Sequence, residues 1–260
     1  MPDFTGQVVL VTGAAAGIGF GIAQAFHDAG ARVALADLND RALAAAAEKL
    51  GRSSRVFTHP VDVRDAAAID KLFRAAESAL GPVGIAVANA GIYPNSAVVE
   101  MTVEEWDRVM ETNLRGVFLT CQAAARGMVA RGRGGKIITL ASGAATSGRK
   151  GAAHYCASKA GVVMFTKVLA MELGAHHVNV NCIAPGLVTV NSALSPISEE
   201  YVASLVGNIP WGRAGTPGDI ARAALFLASP DADFITGDVM SVDGGSSTGR
   251  TYLPYSGRTP

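Results

Sequence analysis

The chain has 260 residues, of which 49% are hydrophobic, 17% charged and 6% aromatic. It is too apolar to stay disordered and long enough to bury one domain-sized core. Its 22 Lys and Arg balance 22 Asp and Glu, which removes the electrostatic basis for nucleic-acid or membrane-surface partners; three widely spaced cysteines, Cys121, Cys156 and Cys182, suit neither a disulfide framework nor a zinc site and imply a reducing cytoplasm.

The first residues lack the basic stretch and short apolar core of a signal peptide. Residues 7–26 carry no charge, but Gly13, Gly17, Gly19 and Gly21 interrupt them, so strand, turn and helix describe the run better than a membrane span. Residues 8–11 read as a strand, and Ile18, Ile22, Ala25, Phe26 and Ala29 recur at helical spacing up to a C-terminal Gly30. The unit then repeats. Strands are expected at 32–36, 55–61, 83–88, 136–140, 178–183 and 238–242; helices at 41–50, 65–80, from a Thr102/Glu105 capping box toward Arg131, and at 155–173 and 217–228. Such alternation predicts a single α/β domain over 1–260, a doubly wound parallel sheet of seven strands with helices on both faces. Residues 186–210 are irregular and proline-interrupted, which suggests a substrate lid at 188–212. The segment 246–260 is a tail in which Tyr252, Leu253 and Tyr255 are available for docking. The helix over 155–173 is apolar on nearly every side, so its outer face calls for a second subunit and a homo-oligomer, a tetramer above other sizes.

Three constellations carry chemistry. Thr12 to Gly19 forms a glycine-rich turn between the first strand and first helix, where backbone N–H groups and the positive helix end can hold a pyrophosphate. Asp37, 18 residues after Gly19 at the end of the second strand, can accept hydrogen bonds from ribose hydroxyls, and with Ala16 supplying no basic side chain this favours NAD over NADP, although Arg41 stands nearby. Tyr155 and Lys159 are four apart and share a helix face; an ammonium beside a phenol favours phenolate and so an acid/base group at working pH. Ser142, at the end of the fifth strand, can bring its hydroxyl to the same sheet edge. The five histidines show no paired ligand spacing, and no metal is expected; His154 reads as a pocket-lining neighbour of Tyr155.

Taken together, residues 12–19, Asp62-Val63, Asn89-Ala90-Gly91, Asn113, Ser142, Tyr155-Cys156-Ala157-Ser158-Lys159, Pro185-Gly186 and Val242-Asp243-Gly244-Gly245 resemble the short-chain dehydrogenase/reductase family from Val8 to Gly245. The resemblance implies a Rossmann-like fold and a nicotinamide-dependent oxidoreductase acting on a secondary alcohol or ketone. It implies Tyr155 as proton donor or acceptor, Ser142 on the substrate oxygen, Lys159 lowering the tyrosine pKa and holding the ribose, and Asn113 maintaining a water path. It implies cofactor contacts at Gly13, Ala16, Gly17, Ile18, Gly19, Asp37, Leu38, Asp62, Val63, Asn89, Ala90, Gly91, Tyr155, Lys159, Pro185, Gly186 and Val188. Substrate contacts are expected at Ser142, Ala144, His154, Tyr155 and Gly186. One departure is that the threonine expected four residues after Gly186 comes early, as Thr189, with Val190 in its place. Small and polar residues over 143–151, with Asn191 and Ser192, favour a polyol or sugar; a 3-oxoacyl-thioester reductase is the alternative, and a non-catalytic NAD-sensing protein a remote one.

Overall fold

A computed structural model describes residues 2–51, 53–190 and 199–249. Seven strands form one sheet: β1 (Val8–Thr12), β2 (Arg32–Asp37), β3 (Val56–Pro60), β4 (Ile85–Ala88), β5 (Gly135–Leu140), β6 (Val178–Pro185) and β7 (Val239–Val242). Their spatial order is β3-β2-β1-β4-β5-β6-β7, and every pairing is parallel. The central strands are continuous runs such as Val8-Val9-Leu10-Val11, buried at every residue, because a parallel sheet covered on both faces leaves no polar side.

Alternate residues of these strands feed two cores. On one face Leu10, Ala86 and Ile137 pack beneath α3 (Ala66–Leu80), α5 (Gly116–Arg131) and α6 (Ala153–Leu173) through Leu72, Met128 and Val162. On the other, Val11, Leu35 and Ile138 meet α1 (Gly17–Asp28), α2 (Asp40–Lys49) and α8 (Pro217–Ala228) through Phe26, Leu43 and Ile220. All three cysteines are free thiols, two of them buried in the first core. No helix among the described residues is long and apolar enough to cross a membrane.

The helix expected to run from Thr102 to Arg131 is divided. Thr102 caps α4 (Val103–Met110) by accepting from the Glu105 amide at 3.1 Å, but a π-helical turn, Glu111–Arg115, separates α4 from α5. The extra residue in that turn re-aims Asn113 into the interior, where it is fully buried. A second difference lies in the segment read as irregular, where α7 (Glu199–Val206) forms a helix too short for its period to stand out. The expectations placed on Asn191, Ser192 and the tail tyrosines Tyr252 and Tyr255 with Leu253 fall outside the described residues.

Strand order places the site. The chain leaves β1 toward β2 and β3, then returns to lay β4 on β1's other side, so the connections after β1 and β4 diverge and open a crevice at the strands' carboxyl ends. Thr12, Asp37, Ala88, Leu140 and Pro185 end five neighbouring strands along that edge.

Candidate active site

The glycine turn is built by close approach. Gly13 and Gly17 have φ of 65° and 58°, values that L side chains rarely adopt. A Cβ on Gly19 would stand 2.1 Å from the Gly13 carbonyl oxygen and 2.4 Å from Asn89 Nδ2, and one on Gly13 would stand 2.8 Å from Ala90 Cα. Asn89 closes the turn from β4's end by donating to the carbonyls of Thr12 and Gly13 at 2.9 and 3.1 Å. The buried Thr12 hydroxyl accepts from the amides of Asn89 and Ala90 at 3.1 and 3.2 Å. Ala16 is the N-cap of α1 and supplies no side-chain cap, which leaves first-turn amides beside Ile18 for an anion. These features fit a dinucleotide pyrophosphate.

Asp37 is half-buried, its carboxylate held by the Ala15 and Asn39 amides, each at 3.1 Å. Leu38 beside it is 69% exposed, an apolar surface at the crevice rim. Asp62 follows β3 and is gripped by Arg64, whose Nε lies 3.0 Å from both carboxylate oxygens; the guanidinium holds the Asp62 carboxyl below its usual range. Val63 is buried, and a Cβ on Gly116 would collide with it at 2.7 Å, so it also seats the start of α5.

At the other end of the crevice, Ser142 directly follows β5 and its Oγ accepts from the Ala144 amide at 3.2 Å, which ties Ala144 to the site through its backbone. Tyr155 and Lys159 share the inward face of α6. The Ser142 hydroxyl is near enough to the Tyr155 phenol to lower it; Lys159 Nζ lies 5.8 Å from the tyrosine ring centroid and donates to the Leu140 carbonyl at 2.7 Å. Asn113 spends its amide on the strand-exit loop, accepting from the Ile92 amide at 2.8 Å and donating to the Ile92 carbonyl at 2.7 Å. A Cβ on Gly91 would lie 3.3 Å from Asn113 Oδ1 and 3.6 Å from Lys159 Nζ, so all these groups face one small volume.

The electrostatics differ from expectation in one respect. Burial raises the Tyr155 phenol above its ordinary value, outweighing the lowering by the Ser142 hydrogen bond and the Arg149 charge. The same burial pushes the Lys159 ammonium down to about 8. An ammonium nearly stripped of water itself prefers to lose its proton, so the expected lowering of the tyrosine by Lys159 does not prevail here.

Other positions expected to line the site are placed as follows. Pro185 ends β6, and Gly186 donates to the Val242 carbonyl at 3.1 Å, where a Cβ would meet Asp243 Cβ at 2.7 Å. Val188 is buried in a parallel bridge with Gly215. The Thr189 hydroxyl and amide both donate to the Gly215 carbonyl, at 3.3 and 3.0 Å. Val190 lies over the glycine turn, 3.4 Å from where a Gly17 Cβ would be. His154 is fully buried beside Tyr155; its Nδ1 accepts from the Tyr155 amide at 2.8 Å, and among the described residues its Nε2 has no partner. Sequence reasoning missed Tyr93 and Arg149, which border Tyr155 from two loops, and Asn95, which holds Arg149; no spacing rule links them. A depression of about 650 Å³ between α1 and α8 touches Ala16 and Gly17 but none of Ser142, Tyr155 and Lys159.

Known proteins resemble this chain over most of its length. A family model described as Enoyl-(Acyl carrier protein) reductase matches residues 13–247. The chain is 38% identical to 3-oxoacyl-acyl-carrier-protein reductase of Chlamydia muridarum, over 92% of this chain and 96% of that one. It is also 38% identical to galactitol 2-dehydrogenase of Agrobacterium fabrum, over 92% and 97%, and to sorbitol dehydrogenase of Cereibacter sphaeroides, over 93% and 97%. A crystal structure of a short-chain type dehydrogenase/reductase from Mycobacterium marinum superposes with a TM-score of 0.89 at 38% identity, covering 94% of this chain and 96% of that one.

Proposed function

The chain belongs to the short-chain dehydrogenase/reductase family, and we propose that it is an NAD-preferring dehydrogenase of a secondary alcohol, a polyol or sugar, or the reductase of the matching ketone. The observation that carries the reading is the meeting of Ser142 and Lys159 around the Tyr155 phenol at the edge of a glycine turn shaped for pyrophosphate. A nicotinamide dinucleotide, when bound, supplies the hydride acceptor or donor.

The protein's own groups handle orientation and the proton. In alcohol oxidation Ser142 hydrogen-bonds the substrate oxygen while Tyr155 Oη takes the hydroxyl proton. Lys159, its Nζ held by the Leu140 carbonyl 5.8 Å from the tyrosine ring centroid, would hold the nicotinamide ribose, and Asn113, through Ile92, holds the loop that closes the site's far wall. Val63, Asn89, Ala90, Gly91, Pro185, Gly186 and Val188 would line the dinucleotide crevice. The Asp37 carboxylate favours the ribose of NAD and repels a 2′-phosphate.

For the substrate, the names of the galactitol and sorbitol enzymes support a polyol, as does the short polar loop over 143–151. The equal identity to a 3-oxoacyl reductase supports the second reading, reduction of a 3-oxoacyl thioester, against which Asp37 weighs if that reaction draws on NADP. A homotetramer is supported by the outer face of α6, where Met164, Val168 and Met171 are exposed, and by Phe118 on α5, exposed and edge-on to Phe165 at 5.9 Å. Balanced charge and the absence of a spanning helix among the described residues are compatible with a cytoplasmic setting. The deciding experiment is Tyr155→Phe, which should bind NADH as the natural protein does and lose at least about a hundredfold in turnover across a screen of polyols, sugars and 3-oxoacyl thioesters. Undiminished turnover would remove the phenol from the reaction.

A further inference from the structure

We propose that Arg149 is the substrate-recognition residue of this site and that it selects a polyhydroxy compound bearing a carboxylate or phosphate; the inference rests on the oxidoreductase reading above. Arg149 stands in the loop between β5 and α6. Its Nη2 donates to Asn95 Oδ1 at 2.6 Å, in the loop that follows β4. The two loops are laced a second time by the Ser96 amide donating to the Gly151 carbonyl at 2.8 Å. These ties hold the guanidinium carbon 5.9 Å from the Tyr155 ring centroid, while Tyr93 stands edge-on to the same ring at 6.4 Å. A loop arginine is thereby fixed at the mouth of the catalytic crevice.

Its pairing indicates what it is for. Arg149's side-chain partner is a neutral carboxamide, and among the described residues no acid pairs with it; Arg32 and Arg55 also lack an acid but are spent on backbone carbonyls, whereas Arg149 stands beside the Tyr155 ring. No carboxylate is among the groups acting on the Tyr155 phenol, and Arg149 is the cation that acts on it. The chain as a whole is neutral, yet this mouth carries an uncompensated positive charge. Arg149 is exposed, so water weakens its pull on the phenol, and its pull on a ligand grows only as the bound ligand displaces that water. A guanidinium fork matches the paired oxygens of a carboxylate or phosphate and gains little from a neutral hydroxyl. Its distance from the tyrosine ring is one a short carbon chain spans, with the reacting carbinol at Tyr155 and the oxyanion at Arg149.

The test uses the full chain and three matched probes: sorbitol, gluconate and sorbitol 6-phosphate. The ratio of kcat/KM for an anionic probe to that for sorbitol should favour the anion, gluconate or the phosphate ester showing which oxyanion is preferred. Arg149→Gln should shrink that ratio about tenfold or more, the worth of a hydrogen bond to a charged group, mainly through KM, with Arg149→Lys between. Independently of turnover, malonate and inorganic phosphate titrated into the NADH complex should quench or enhance nucleotide fluorescence saturably, about tenfold more weakly in Arg149→Gln. A preference for sorbitol, a ratio unchanged by Arg149→Gln, or no saturable anion binding overturns the inference while NADH binding and Tyr155-dependent turnover still stand. Loss of those two would instead refute the oxidoreductase reading.

Discussion

Asp37→Asn tests the cofactor preference most directly. The carboxylate is positioned by the Ala15 and Asn39 amides at 3.1 Å each, and asparagine preserves one such acceptor while removing the charge. A 2′-phosphate placed about 4 Å away would cost about 4 kcal/mol per unit charge at an effective dielectric of 20 and about 1 kcal/mol in bulk water. Asp37 is half-buried, which sets the penalty between these, about 2 to 3 kcal/mol. The natural protein should therefore bind NADH about thirty- to 150-fold tighter than NADPH, and Asp37→Asn should erase most of that margin by improving NADPH rather than by losing NADH. Dissociation constants for both nucleotides, from fluorescence at low and high ionic strength, provide the assay; the margin should narrow with salt because the carboxylate is partly exposed. A natural protein that prefers NADPH, or a margin unchanged in Asp37→Asn, would refute this account of the carboxylate.

Lys159 should carry a stability cost. Its folded value of about 8 lies below the ordinary 10.5, so the charged form is disfavoured by folding; the penalty is complete below about pH 8 and vanishes as pH rises toward 10.5, on the order of 3 kcal/mol before the Leu140 hydrogen bond is credited. Lys159→Met, inactive, should then unfold at higher temperature than the natural protein at pH 7 and lose the advantage between pH 8 and 10.5; a difference independent of pH contradicts this. His154→Leu should lower kcat about fivefold by releasing the Tyr155 amide, and His154→Asn, which restores an acceptor, should recover most of it; equal losses in both would make the histidine a packing residue alone. Val168→Asp places a charge on the exposed apolar face of α6 and should dissociate the assembly in light scattering, whereas unaltered mass would move the subunit contact elsewhere.

What was legible in the chain was local and repetitive. Apolar runs, Gly30, Gly51 and Gly81 as helix ends, and the turn at Gly13 to Gly19 encode backbone geometry within a few residues of themselves, so the alternation of strands and helices and the Tyr155/Lys159 face followed from periodicity. Tertiary structure decided the rest. The π turn that buries Asn113 against Ile92 breaks a pattern that reads as one helix, because the energy of an inserted residue is recovered from Ile92 and Ser158, 21 and 45 residues away. The His154 ring accepts from the Tyr155 amide, a contact that neighbouring positions in the chain do not announce. Arg149 and Asn95, 54 residues apart, become neighbours only once β4 and β5 pair and bring their loops to one edge; contacts of that range depend on the closure of the sheet, which no local run of residues records.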